Sequence, residues 1–269
     1  MMNNFGKIYG KRKGGEELIY ACPRCLKIKL EYNTRKKVFN CWSCGFSGKI
    51  HETNDLAKSH GVYKLEHQNT WPEIKIPGRQ ELSELAGGYE FLQSRGISAG
   101  RAQRLGICCS TEYRFYNRVI IPIIEDGKLV CYTARSIDAR EEPKELAPPR
   151  DISNRGNFLF GLDDVGKGDD VTVVEGVFDR EWIKQNGYTC IAAMGSHLTD
   201  VQIGKLLAKQ PKCINLLFDA DDAGYQGMKD TMRALYLRYH GEVRACDCGF
   251  YNKKDPDQLK SSEIKEMLG

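Results

Sequence analysis

The chain has 269 residues, 41% hydrophobic and 28% charged, the balance of a soluble globular protein with one large domain or a few small ones. No run approaches the roughly 18 apolar residues of a membrane-spanning helix, and the start, MMNNFGKIYGKRKGGEE, lacks the apolar core of a signal peptide, so a cytoplasmic location is expected. The net charge of +4 hides a basic head, 11 basic against 3 acidic residues in the first fifty, and an acidic last third, 14 against 18 from residue 161 onward.

Residues 1–17 read as a basic polar arm. Residues 18–57 read as a small domain of short antiparallel strands: apolar runs at 18–20, 28–32 and 37–39 lie between two cysteine pairs. The pairs are Cys22-Pro-Arg-Cys25 and Cys41-Trp-Ser-Cys44, with 15 residues between them. That is zinc-ribbon spacing. Each CxxC turn presents two thiolates, and a hairpin of this length brings the second turn opposite the first. Four thiolates close a tetrahedral site, so the Zn²⁺ is structural, and a domain this small needs it to fold. The remaining seven cysteines of the eleven fall mostly in predicted strands and read as buried thiols; Cys246-Asp-Cys248 is a weak second-metal candidate. Lysines and arginines interleave with Tyr20, Tyr32, Phe39, Trp42 and Phe46 around the quartet. Basic groups hold phosphates and aromatic faces stack on unpaired bases. Phe39 and Phe46 fit a ribbon core better; Trp42 is balanced between core and base stacking.

Residues 51–60 could form one short helix. Residues 58–80, with Trp71-Pro72 and Pro77-Gly78, read as a linker. From 81 to 168 the pattern is mixed. Leu82, Leu85, Tyr89 and Leu92 recur at helical spacing before Gly96, and 99–105 is a second helix. Strands are expected at 113–116, 118–124 and 129–134, the last two joined by a Glu125-Asp126-Gly127 turn. Residues 138–157 are loop. From 169 to 269 the pattern becomes β-α-β-α-β-α-β-α: strands at 171–174, 189–193, 213–218 and 243–246, helices at 177–185, 200–209, 223–239 and 262–268. That predicts an α/β unit, a mostly parallel Rossmann-like sheet with helices on both faces.

Carboxylates gather at the expected strand ends of this unit, where ligands of open α/β sheets bind. Glu175 follows the first strand. Asp219 and Asp221 follow another, two apart and so on one side of extended backbone. Asp255 and Asp257 flank a proline before the last helix. Converging carboxylates repel unless a cation such as Mg²⁺ lies among them. Asp222 and Asp257 could instead cap helices. His197, after the second strand, could lie at the rim of the crevice or in a plain capping loop with Ser196 and Thr199.

EGVFD (175–179), FDADDAG (218–224) and KDPDQ (254–258) resemble the Toprim domain of DnaG-type primases, topoisomerases, some nucleases and recombination proteins. YNRVIIPIIEDGKLVCYTARSID (116–138), Pro143-Lys144, Phe158 to Gly161 and QSRGIS (93–98) resemble the primase members, as does the ribbon-first order. In length and in having four cysteine ligands the chain is most similar to the primase half of short-tailed coliphage primase–helicases, which would place it in a host cytoplasm if phage-encoded. The resemblance implies a DNA primase that joins ribonucleoside triphosphates on single-stranded DNA template, using Mg²⁺ or Mn²⁺. It assigns Glu175, Asp219 and Asp221 as principal metal-binding and catalytic carboxylates, with Asp179, Asp255 and Asp257 as secondary ligands. Glu175 as proton acceptor is the alternative to ligation. Arg118, Arg135 and Lys144 would face the crevice and hold triphosphate or template, and Trp42 would contact template. Departures are the all-cysteine zinc set, where bacterial enzymes usually have a histidine, a less basic segment after the DxD, and no GxxxxGK[ST] phosphate loop, so a separate replicative helicase is expected. Rival readings are a Toprim nuclease or topoisomerase-like enzyme and a non-catalytic zinc-ribbon accessory protein.

Overall fold

The computed structural model describes residues 11–13, 17–21, 28–33, 35–42, 47–49, 73–236 and 238–269. The chain divides into two compact units: residues 1–70 with 233–240, and residues 71–232 with 241–269.

In the first unit, β1 (Lys11–Lys13), β2 (Glu17–Ala21), β3 (Ile28–Asn33), β4 (Val38–Cys41) and β5 (Ser47–Lys49) form an antiparallel sheet in sequential order. The β3–β4 turn is held by the Lys36 N–H donating to Asn33 Oδ1 at 2.7 Å, with Lys37 left-handed at φ 55°. Phe39 is buried opposite Gly48, where a Cβ would stand 2.7 Å from its ring. That fits Phe39 as ribbon core. Cys41 is buried and Trp42 is 70% exposed. Cys22, Cys25 and Cys44, and the short helix expected at 51–60, lie outside the described residues.

The second unit opens with an antiparallel sheet. It comprises β6 (Arg79–Glu81), β7 (Cys108–Ser110), β8 (Arg118–Glu125), β9 (Lys128–Ser136) and β10 (Glu145–Leu146), in the order β10-β9-β8-β7-β6. Asp126 and Gly127 join β8 to β9 with φ of 51° and 72°. Positive φ at both central residues is what a tight hairpin following strand twist requires. Several expectations change here. Residues 74–80, expected in a linker, belong to this unit: the Ile74 N–H donates to the Leu129 carbonyl, and Ile76 is buried with Phe115, Ile120 and Tyr132. The single helix expected from 81 breaks into a 3-10 turn (Leu82–Glu84) and α1 (Gly88–Ser94). Gly87 at φ 78° separates them, a conformation glycine adopts freely. Residues 113–115 form a 3-10 turn rather than a strand. α2 (Ala99–Arg104) follows α1, its Ser98 cap accepting from the Arg101 N–H.

The Toprim-like order then appears as expected. β11 (Asp170–Val174), β12 (Thr189–Ala192), β13 (Cys213–Phe218) and β14 (Glu242–Asp247) form a parallel sheet in the order β12-β11-β13-β14. The helices between and after are α3 (Val177–Gln185), α4 (Asp200–Ala208), α5 (Asp222–Tyr236) and α6 (Ser261–Leu268). β11 and β13 are buried almost throughout, as central parallel strands covered on both faces must be. One continuous core joins Leu92, Ile97, Val119 and Ile121 to Val174, Phe178, Ile183 and Leu217. α3 is further fixed by the buried Glu181, which pairs with Arg180 beside it and with Arg101 of α2 at 2.6 Å.

Candidate functional site

A parallel sheet puts the carboxyl ends of its strands along one edge. Glu175 leaves β11 there and Asp219 leaves β13. One Glu175 oxygen accepts the Asp219 backbone N–H at 3.2 Å. Gly224 makes the approach feasible: a Cβ there would collide with the Asp219 carbonyl and crowd the same Glu175 oxygen. Asp221 Oδ1 accepts the Gly224 N–H at 3.0 Å, so Asp221, not Asp222, caps α5. The loop after β14 is drawn in by the Ala220 N–H donating to the Lys254 carbonyl at 2.7 Å. The Asp257 N–H donates to Asp179 Oδ1 of α3 at 3.1 Å. Two cations touch the group: Arg95 reaches Asp257 at 2.8 Å, and Lys254 lies 3.8 Å from Asp221.

The six carboxylates share one electrostatic field. Burial, then Asp221, Asp179 and Asp255, push Glu175 up to about 7 against the pull of the Asp219 N–H. Burial, then Glu175, Asp255 and Asp221, push Asp219 up to about 7. Asp179 rises to about 7 from burial first, then Asp257 and Asp219. Burial also raises Asp257, opposed by Arg95. Asp219 Oδ1 is buried without a hydrogen-bond donor. Among the described residues no three ligating side chains converge closely enough to enclose an ion as they stand. The donor set is nonetheless oxygen-only, mutually repelling and partly unpartnered. That chemistry suits a hard divalent cation that keeps water and phosphate in its shell.

The other candidates lie elsewhere. Arg118 does not face a crevice. It is 2% exposed, and its guanidinium donates to the Ala134, Pro143 and Lys144 carbonyls and pairs with Glu141 at 3.0 Å. Those bonds tie the 141–144 loop to the sheet. Arg135 is partly exposed and pairs with Glu145 at 3.2 Å, which also holds Arg155 at 3.1 Å. Lys144 is exposed. Cys246 and Cys248 are buried thiols, both pushed up by burial, to about 11 and about 12. Sequence reasoning missed Arg95 and Lys254 as partners of the acidic group. Both stand inside motif blocks, but which carboxylate each meets is decided by how the helices and loops pack.

Residues 172–259 match the family model described as Toprim-like. The chain is similar to the DNA primase of Synechococcus elongatus, 34% identical over 169 residues, covering 58% of this chain and 24% of that protein. It is similar to the DNA primase of Aquifex aeolicus, 26% identical over 294 residues, covering 87% and 58%. The chain therefore spans from about a quarter to under three-fifths of the length of these two relatives. Among solved structures, the zinc-binding and RNA polymerase domains of the Aquifex aeolicus primase match with a TM-score of 0.59 at 21% identity, covering 97% of this chain and 80% of that one. The primase fragment of the bacteriophage T7 primase-helicase matches at 0.51 and 19%, covering 93% and 99%. These likenesses show that the chain shares the fold of those two structures.

Proposed function

We propose that the chain is a DNA primase that makes short RNA primers on single-stranded DNA. The observation that carries this is the acidic edge. Glu175, Asp219 and Asp221 stand where two parallel strands end, their mutual repulsion only partly offset by Lys254 and one buried oxygen unpartnered. The DNA primase relatives support the same reading. In the reaction a 3′-hydroxyl attacks the α-phosphorus of a nucleoside triphosphate, the α–β bond breaks, and pyrophosphate leaves. Bound Mg²⁺ or Mn²⁺ supplies charge neutralisation for the attacking and leaving oxygens. Glu175, Asp219 and Asp221 would hold it, with Asp179, Asp255 and Asp257 tuning their charge and position. Glu175, pushed to about 7, also suits a group that takes the hydroxyl proton. Arg95 and Lys254 offset part of the repulsion among these carboxylates.

The chain's first unit supports a zinc ribbon held by Cys22, Cys25, Cys41 and Cys44, of which Cys41 is buried at the end of β4. Its exposed Trp42 and the basic head would engage template by stacking and phosphate contact. The units read best as basic arm 1–17, ribbon 18–57, linker from 58, primase subdomain to 168, and Toprim subdomain 169–269. Arg135 and Lys144 remain candidates for phosphate contact, Arg135 by exchanging Glu145 for phosphate. Arg118 is assigned to structure. A separate replicative helicase and a cytoplasmic setting complete the proposal. Among the described residues no helix is long and apolar enough to cross a membrane.

The test uses purified chain, labelled ribonucleoside triphosphates, Mg²⁺ and a panel of single-stranded templates, with products resolved on a sequencing gel. Template-dependent oligoribonucleotides are expected. Strand cleavage without synthesis would move the Toprim domain to a nuclease role, and DNA binding alone would leave an accessory factor.

A further inference from the structure

The loop between β12 and α4, residues 193–199, is tied to the acidic site at one end and to α4 at the other. The Ala193 N–H donates to the Val174 carbonyl at 2.9 Å, and the Met194 N–H to the Glu175 carbonyl at 2.8 Å. The pairing of β11 with β12 thus continues past both strands up to Glu175 itself. Met194 then takes φ 56°, a left-handed conformation that a bulky residue keeps only where its surroundings enforce it. Its side chain stays in the core. At the far end the Leu198 N–H donates to Thr231 Oγ1 at 3.1 Å, and Thr199 caps α4 in a reciprocal capping box with Gln202. The capping expected of this loop is done by Thr199.

Between those anchors, Gly195 and His197 are exposed and Ser196 is half-buried. Within the described residues, the side chains of Ser196 and His197 have no hydrogen-bond or ionic partner. Their position is nevertheless set tightly. A Cβ at Gly227 of α5 would overlap the Ser196 carbonyl and stand 3.4 Å from His197 Cβ. Gly224, three residues earlier on the same helix, is the glycine packed against Glu175 and Asp219. Three residues of helix rise about 4.5 Å. His197 therefore stands one turn along α5 from the carboxylates, and in strand order on the β12 side of Glu175, whereas Lys254 and Asp255 follow β14. A nucleoside triphosphate whose α-phosphate lies over Glu175 and Asp219 needs donors for its outer phosphates. The carboxylates themselves offer none, Arg95 is paired with Asp257, Lys254 stands on the β14 side, and the Ser196 and His197 side chains are unspent.

We infer that His197, seconded by Ser196, is a substrate-contacting residue that donates hydrogen bonds to the β- and γ-phosphates of the incoming nucleoside triphosphate. This rests on the primase reading of the acidic site. Glycines at 224 and 227 on one face of α5 hold the two halves of the site, carboxylates and donors, against one helix.

The test is calorimetric titration of the full chain in Mg²⁺ with an ATP analogue whose α–β bridge resists cleavage, and separately with AMP. His197→Ala is expected to weaken the triphosphate analogue about tenfold, the equivalent of about 1.4 kcal/mol, and to leave AMP affinity unchanged. His197→Gln, which keeps a donor, is expected to recover most of that loss. In primer synthesis His197→Ala should raise KM for nucleotide with kcat little changed. Equal triphosphate affinity in His197→Ala and the parent, or an equal loss for AMP, would overturn the inference. A parent chain that binds the analogue through His197 but makes no primer would leave the inference standing and remove the primase reading. A parent that makes primers while His197→Ala binds normally would do the reverse.

Discussion

Asp179 shows how one carboxylate is held at the cost of its own charge. It lies buried in the first turn of α3, accepts the Asp257 N–H, and is pushed up to about 7. Glu175 and Asp219 reach the same value. A carboxyl in the unfolded chain loses its proton near about 4. Between pH 4 and 7 the folded, metal-free protein therefore holds protons that the unfolded chain has shed. Stability must fall as pH rises through that window and level off above it. Thermal melting in EDTA is expected to show a lower Tm at pH 8 than at pH 5, with excess Mg²⁺ restoring it at pH 8. Asp179→Asn keeps the oxygen that accepts from Asp257 and removes the charge, so it should raise the EDTA Tm at pH 8 and change it little at pH 5. A Tm that rises with pH in EDTA would contradict the repulsive cluster. The carboxylates themselves were legible in the sequence, because strand ends and the DxD spacing point to them. Arg118 was not: its position in the motif looks like a crevice residue, and only the packing shows it bonded to three carbonyls.

At the scale of elements, α5 is the part on which the site turns. It packs against Asp219 through Gly224 and against Ser196 through Gly227. Alanine favours a helix interior over glycine by about 1 kcal/mol, so helix propensity alone predicts that Gly227→Ala stabilises. The Ser196 carbonyl stands in the way, and relief by backbone shift costs about 1–3 kcal/mol. Gly227→Ala is expected to lower Tm and to weaken nucleotide binding as the loop moves; an unchanged or higher Tm would show that the helix and loop do not meet as described. The strands and helices of the α/β half were readable because buried parallel strands are continuous apolar runs punctuated by turn residues. The first helix of the neighbouring subdomain was not, because Gly87 interrupts an apolar spacing that otherwise looks unbroken. Residues 74–76 were hidden for another reason. Prolines at 72 and 77 mark a linker by composition, whereas Ile76 is fixed by a long-range contact with β8 and β9.

The whole molecule joins a basic first unit to an acidic last third, with the carboxylates gathered at one sheet edge of the second unit. Cysteine spacing supports a metal-closed first unit. One Zn²⁺ per chain is expected by elemental analysis, and Cys41→Ser should lose it together with template-dependent initiation, while Mg²⁺ binding by the acidic edge persists. Retained zinc and retained priming in that variant would reject the four-thiolate site. The central claim concerns the acidic edge, and the most direct measurement is dinucleotide synthesis by the parent chain and Glu175→Gln side by side, on one productive single-stranded template and at matched template binding. The account predicts short oligoribonucleotides from the parent and a loss of at least about a thousandfold in the variant, as expected for removal of a carboxylate that holds the catalytic metal, with template affinity unchanged. Full synthesis by Glu175→Gln would contradict it.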